Sequence, residues 1–416
     1  MTKKLLLLIF ITLSLRLISL NQSLWLDEAI SANVVKNYSY QNIITKFSPS
    51  DFHPPLYYLT LKSWSSVFGF SQIGLRSFSV FCSLLTIILV YLYFGFCPSL
   101  LLSLNPLCLY YSGEARMYSL VTMLVFLSFL SFKKNNKLLY VVFTFLSLST
   151  FYGSIFFFAS ISLYFLLKKD YKNFIFYSLS PVLSLLILSP LLIVQYQNSR
   201  EVLKSVLNWS SVLGSSNLKN LLLIPIKFTI GRISFYPKVI YYLISFVLVV
   251  PLWSLLFLKS FKSKQVSFVF WTTLFIGFIF SIFTPMFQYF RFLYLIPFLC
   301  IIINKNIFYS FIFLLFSSVY LFNPVFHRED WKSLSASLPS KVYMISSFAD
   351  PIKYYKNIEI SDIRQPILEN TITVVPYGES IHDFDHNNYL NNLGYKKIST
   401  NNFRELTSEN WVKTTK

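Results

Sequence analysis

Before His327 the only acidic residues are Asp27, Glu28, Asp51, Glu114, Asp170 and Glu201, and His53 is the only histidine there. A carboxylate held within hydrogen-bond reach of a hydroxyl can take its proton as that oxygen attacks an electrophilic carbon. Arginine pairs bidentately with phosphate, and Arg16, Arg76, Arg116 and Arg291 punctuate the same stretch. Asp51, His53 and Glu114 together could serve as ligands of a divalent ion or as contacts to an acceptor. Each residue also has a plain reading. An arginine at the end of a membrane span snorkels to the headgroups, Asp27-Glu28 suits a helix start, and His53-Pro54-Pro55 suits another. The functional reading gains weight only if the acids share one face.

The elements that must position them are membrane spans. The chain has 416 residues, 55% hydrophobic, 19% aromatic and only 13% charged, with a mean hydropathy of +0.56. Apolar runs such as Lys4 to Leu20, Ile73 to Phe94, Leu138 to Leu167, Phe174 to Ile193, Val239 to Leu258, Val266 to Phe283 and Phe308 to Phe322 approach or exceed the roughly 20 residues that cross a bilayer as a helix. From His327 onward 11 Lys+Arg balance 11 Asp+Glu, so the net +19 belongs to the apolar part. Its basic clusters, MTKK, KKNNK, KKDYK, KSFKSK and NKN, flank apolar runs, as cytoplasmic loops do. That placement argues against nucleic acid as a partner. It predicts about eleven spans in the plasma (inner) membrane, the amino terminus cytoplasmic and the tail outside. Arg16 interrupts the first apolar run and no small-residue cleavage site precedes Trp25, which predicts a retained helix rather than a signal peptide. Cys82, Cys97, Cys108 and Cys300 fall within spans, which points to packing rather than to disulfides or a Cys metal site.

In this topology Asp27, Glu28, Asp51, His53 and Glu114 all lie on the outer face, and Arg16, Arg76, Arg116 and Arg291 lie at outer span ends. Such a layer of ionisable groups in a membrane protein calls for a function. Residues 1–326 are expected to form a transmembrane catalytic domain with outer loops over 21–72 and 196–236. The first loop carries interfacial helices, one of them Pro55 to Phe68. The second, with Trp209, a Ser-rich stretch and the apolar Leu221 to Ile226, reads as a lid. Residues 327–416 turn polar. Apolar runs at Val342 to Ser346 and Ile372 to Val375, separated by helical stretches near Trp331 to Leu338 and Asn387 to Leu393, predict a small extracytoplasmic α/β domain. The joining segment His327-Arg328-Glu329-Asp330-Trp331 reads as a connector, with Asp330 capping a helix.

The ordered set RLISLNQSLWLDEA, FHPPLYY, YYSGEARMYSL, YFRFLYLIP and HREDWKSL resembles the bacterial and archaeal branch of the C-type glycosyltransferase fold. That group includes protein O-mannosyltransferases and the lipid A aminoarabinose transferase. The resemblance implies an α-helical polytopic fold and a sugar donor linked to a polyprenyl phosphate, with no nucleotide at the active site. The acceptor would be a hydroxyl of a protein, a lipid or a glycan. It also implies Asp27 as general base, with Glu28 beside it able to exchange roles. Arg116 and Arg291 become donor-phosphate contacts, with Arg16 a further candidate. Asp51, His53 and Glu114 remain metal or acceptor residues, and Tyr57 and Tyr118, from HPPLYY and SGEARMY, are additional site candidates. Inversion at the anomeric carbon is what the family implies. One departure stands out: a His often follows the fifth span in such proteins, where this chain has Thr150-Phe151-Tyr152-Gly153.

Two other classes fit many spans. A lipid-linked glycan flippase or transporter would gather its charges near mid-membrane, and an O-antigen polymerase or ligase would use a diphosphate-linked donor and a late outer loop rich in His and Arg. The segment Tyr196 to Tyr236 has no His. A non-catalytic scaffold would have no need of the acid at position 27.

Overall fold

The computed structural model describes residues 3–206, 208–209 and 213–414. Two apolar cores divide it. One runs from Leu8 to Leu321 through a bundle of helices, and the other from Trp331 to Trp411 through a small α/β layer.

Among the described residues three helices, Gln72–Phe94, Tyr171–Ser205 and Lys238–Ser260, are long and apolar enough to cross a membrane. Only 22% of the apolar window of Tyr171–Ser205 and 28% of that of Lys238–Ser260 is buried in the protein. Their outward Leu, Ile, Val and Phe side chains therefore meet an apolar solvent, which a bilayer supplies. Shorter apolar helices fill the bundle between them, among them Tyr118–Lys133, Lys264–Phe280 and Ile307–Phe322. The run Leu138 to Leu167 is divided by a 3-10 turn at Tyr152–Ser154 into Lys137–Thr150 and Ile155–Leu167.

The first polar segment forms the helices Leu26–Asn37 and Leu56–Phe68. The second begins where the sequence expects it, directly after Pro55, since proline fits the first helical turn at no hydrogen-bond cost. Segment 196–236 carries helical structure. Tyr171–Ser205 extends into it, and Leu218–Ile230 is a helix, seated on the Pro106–Ser112 helix, where Asn105 Nδ2 donates to the Phe228 carbonyl at 2.9 Å. Ser210 and Ser211 of its Ser-rich stretch lie outside the described residues.

The tail is a five-stranded sheet of order β2-β1-β3-β5-β4, with β1 Lys341–Met344, β2 Glu359–Asp362, β3 Thr371–Val374, β4 Tyr395–Phe403 and β5 Leu406–Lys413. β1 pairs in parallel with β2 and β3, while β5 runs antiparallel to β3 and β4. A parallel pair needs a crossover, and the helix Asp350–Tyr355 supplies the one between β1 and β2. That helix docks on Leu26–Asn37: Asn33 Nδ2 donates to Asp350 Oδ1 at 2.8 Å, and the Tyr355 hydroxyl accepts from Leu24 N at 2.8 Å. Leu26 packs on the tail core while Ala32 and Val35 belong to the helical core. The helix carrying Asp27 and Glu28 is thus held from both sides.

Candidate functional site

Asp27 and Glu28 sit in the first turn of the Leu26–Asn37 helix, where adjacent residues point about 100° apart. Their surroundings differ accordingly. The Glu28 side chain is fully buried and forms a two-pronged pair with Arg76 of Gln72–Phe94, Nε to Oε1 at 2.8 Å and Nη2 to Oε2 at 2.6 Å. Oε1 also accepts from Ala115 N at 2.6 Å, and Oε2 from Trp25 N at 3.5 Å, the reach-back half of a capping box. Arg76 spends its remaining donors on the carbonyls of Leu20, Gln22 and Ser23. Glu28 is therefore a clasp joining three segments, and its oxygens have no capacity left for a substrate proton. Asp27 keeps 33% of its side chain exposed and has one ionic partner, Arg116 Nη2 at 3.5 Å from Oδ2.

Arg116 is buried in the SGEARMY loop. Its charge acts on Asp27, Asp51 and Tyr118 together. Glu114, in the same loop, receives Arg328 Nε at 3.1 Å and Nη2 at 3.0 Å on Oε1. Ser79 Oγ fixes the loop by donating to the Glu114 carbonyl at 2.6 Å. Asp51 and His53 form their own pair at 3.5 Å. Burial pushes the Asp51 carboxyl up, but the neighbouring His53, then Arg116 and Tyr58, outweigh it and hold Asp51 below its ordinary value.

The departure at Tyr152 has a structural counterpart. Its hydroxyl donates to Gln195 Oε1 at 2.8 Å, and Gln195 Nε2 donates to the carbonyls of Ser48 at 2.7 Å and His53 at 2.9 Å. Tyr152 and Gln195 thereby set the loop that carries Asp51 and His53.

Arg291 lies in the 3-10 segment Tyr289–Leu295, with Nη1 3.4 Å from the Pro285 carbonyl and its guanidinium 5.9 Å from the Phe290 ring centroid. Tyr118 packs edge-on to Phe290 at 5.6 Å and to Tyr111 at 5.0 Å, so an aromatic wall joins Arg291 to the Arg116 loop. Arg232 reaches the same wall from the 196–236 segment, donating to the Tyr110 hydroxyl at 2.7 Å. Among the described residues neither Arg291 nor Arg232 has a carboxylate partner. Arg232 was not among the sequence candidates because no motif surrounds it; its position just after the Gly231 helix end was the available signal.

Arg16 stands apart from this group. It is buried in the bundle wall, donating to Ser83 Oγ at 3.0 Å and the Ser103 carbonyl at 3.1 Å. The first helix ends at Leu17, before the chain turns through residues 18–23 toward Trp25, so Arg16 points sideways into its neighbours. Among the described residues no hydrogen bond or ion pair joins it to Asp27, Arg116 or Arg291.

The indole Nε1 of Trp25, Asp51 Oδ2, the Tyr57 hydroxyl, Glu114 Oε2 and Arg116 Nε are buried with no hydrogen-bond partner in the protein. Unmet polar atoms on the motif-bearing segments suit a site that a polar substrate completes. The residues fit a metal less well. No three His, Cys, Asp or Glu side chains come together among the described residues, and Arg328 already neutralises one Glu114 oxygen.

No protein-family model matches the sequence, and no curated protein matches it. Solved structures do. The crystal structure of ArnT from Cupriavidus metallidurans in the apo state aligns with a TM-score of 0.60 at 10% identity, covering 97% of each chain. The same protein bound to undecaprenyl phosphate aligns at 0.57 and 11% identity, again over 97% of each. The chain therefore has the fold of ArnT along nearly its whole length, the C-type glycosyltransferase fold that its motifs resemble.

Proposed function

We propose that this chain is a membrane glycosyltransferase that moves a sugar from a polyprenyl-phosphate donor to a hydroxyl on the extracytoplasmic face. The observation that carries the reading is Asp27: a reachable carboxylate beside Arg116, next to a Glu28 whose oxygens are already occupied, on the fold of ArnT. That neighbour has been crystallised with undecaprenyl phosphate, which supports a lipid monophosphate as the donor's carrier.

In the proposed reaction the acceptor oxygen bonds to the anomeric carbon while the bond from that carbon to the lipid phosphate oxygen breaks. The electron pair leaves on the phosphate, and the acceptor proton passes to Asp27. Negative charge grows on the leaving phosphate and needs cations already in place. Arg291 and Arg232, which lack carboxylates to satisfy them, suit that task, and Arg116 links it to the base. With Glu28 committed to Arg76, the first helical turn offers one carboxylate, as a single inverting displacement requires; a retaining route needs a second as nucleophile. The steps are assigned to side chains and use no metal ion.

The test offers the purified chain three donors with membrane extracts as acceptor: polyprenyl-monophosphate sugars, polyprenyl-diphosphate sugars and nucleotide sugars. Transfer from the monophosphate alone is expected. Use of the diphosphate donor would favour the polymerase or ligase reading. Movement of labelled lipid between leaflets without transfer would favour a flippase.

A further inference from the structure

The segment between the last bundle helix and the tail connects the two, and its Asp330 caps the helix Trp331–Ser337 by accepting from Ser333 N at 3.2 Å. Its neighbour Arg328 does something a connector does not require. The guanidinium lies 3.6 Å from the ring centroid of Trp25, two residues before Asp27, while Nε and Nη2 both bond Glu114 Oε1, two residues before Arg116. One side chain thus ties together the two motifs whose side chains meet in the Asp27–Arg116 pair.

The tail fold holds Arg328 in place. Its carbonyl accepts from Arg404 Nε at 2.7 Å, and the Arg404 carbonyl in turn accepts from Asp330 N at 3.1 Å. Arg404 lies in the turn between β4 and β5. Next door, the Tyr377 hydroxyl donates to Glu329 Oε1 at 3.1 Å. Side-chain exposures of 16% for Arg328 and 4% for Glu114 place the pair away from bulk water, where removing one partner leaves the other charge uncompensated. Arg116 lies two residues along the same loop, so any move of Glu114 toward another partner shifts Arg116 relative to Asp27.

We infer that Arg328 is a positioning residue for transfer: through it the tail domain sets the Asp27–Arg116 pair and leaves Glu114 Oε2 free to receive a hydrogen bond from the acceptor. The inference rests on the glycosyltransferase reading. It makes the tail part of the catalytic unit, which would otherwise be a separate appendage.

The experiment measures kcat and donor KM for full-length wild type, Arg328→Gln, Arg328→Lys and Arg404→Ala, with the exposed Lys353→Ala as a control at wild-type rate. A displaced reacting group lowers rate far more than binding. Arg328→Gln should lose roughly 10- to 100-fold in kcat at donor KM within about twofold of wild type. Arg328→Lys, which keeps the charge without the planar fork, should recover part of it, and Arg404→Ala should show a smaller loss in kcat alone. Should Arg328→Gln fail to fold, Arg328→Lys and Arg404→Ala decide the matter by the same kcat criterion. Wild-type kcat in every variant that folds, or a rise in donor KM at unchanged kcat, would overturn the inference while wild-type transfer still upheld the function. Absence of transfer by wild type itself would overturn both.

Discussion

Two neighbouring carboxylates end in opposite circumstances because of what lies 48 residues away. Arg76 claims Glu28 and leaves Asp27 to Arg116. Breaking a buried ion pair by removing one member typically costs about 3–5 kcal/mol, so Glu28→Gln should lower the melting temperature of the protein in detergent markedly, whereas Asp27→Asn, which loosens a longer and partly exposed pair, should lower it less. A thermal melt of both variants checks this, and equal destabilisation would contradict the division of roles. The sequence placed Asp27, Glu28, Asp51, His53, Glu114 and Arg116 on one face through the charge pattern alone. It could not separate Asp27 from Glu28, since their difference lies in a long-range partner and not in the local run LWLDEA. Arg232 and Arg328 escaped for the same reason: each matters through residues distant in sequence, Tyr110 and Glu114.

Among the elements, the helix His386–Asn392 seats a buried imidazole against the tail hairpin, between two carboxylates. His386 contacts Glu379 at 2.8 Å through Nδ1 and Glu409 at 2.9 Å through Nε2, and Lys397 Nζ also pairs with Glu409 at 2.8 Å. Burial alone would lower the His386 pKa, but hydrogen bonds and charge from Glu379 and Glu409 overcome it, and the net shift is upward. A raised folded pKa contributes stability that is fully present below the unfolded value of about 6.5 and lost as pH rises through the folded one. Glu409 is shifted the other way, held down against its own burial by Lys397 and His386, so its contribution is lost only as pH falls through its lowered value. Hydrogen-exchange protection of residues 395–413, corrected for intrinsic rates, should therefore decline as pH is raised from 6 to 9. His386→Gln should flatten that decline; an unchanged slope would remove the cluster as its cause. β1 and β3 were legible because they are buried inner strands with apolar runs; β5 is also an inner strand, but Thr407, Ser408, Glu409 and Asn410 break its apolar signal. β4 was not, because seven of its nine residues are exposed and an edge strand shows little hydrophobic signal. β2 was missed likewise, with no fully buried position. The helix after Pro55 was legible because proline marks its start.

For the whole molecule, Tyr171–Ser205 has 35 residues, about 52 Å at 1.5 Å per residue, against about 30 Å of hydrocarbon. It starts beside the basic KKDYK cluster, so its far end must rise above the opposite face, where Gln195 and Asn198 grip the Ser48 to His53 segment. A cytoplasmic amino terminus and an external tail follow if the basic loops are inside. In a cysteine-free background, a membrane-impermeant maleimide applied to intact cells should label Asn401→Cys in the tail and spare Lys262→Cys in the KSFKSK loop; the reverse would invert the topology. The overall class was legible because hydropathy and charge report directly on solvent, while the arrangement of the bundle depends on packing that no single span reveals. The proposed transfer turns on Asp27. Its most direct test is transfer of radiolabelled sugar from a polyprenyl-phosphate donor by wild type and Asp27→Asn at matched levels in membranes. The expected result is transfer by wild type and a loss of at least about 100-fold in the variant, while equal transfer by both would contradict Asp27 as the base.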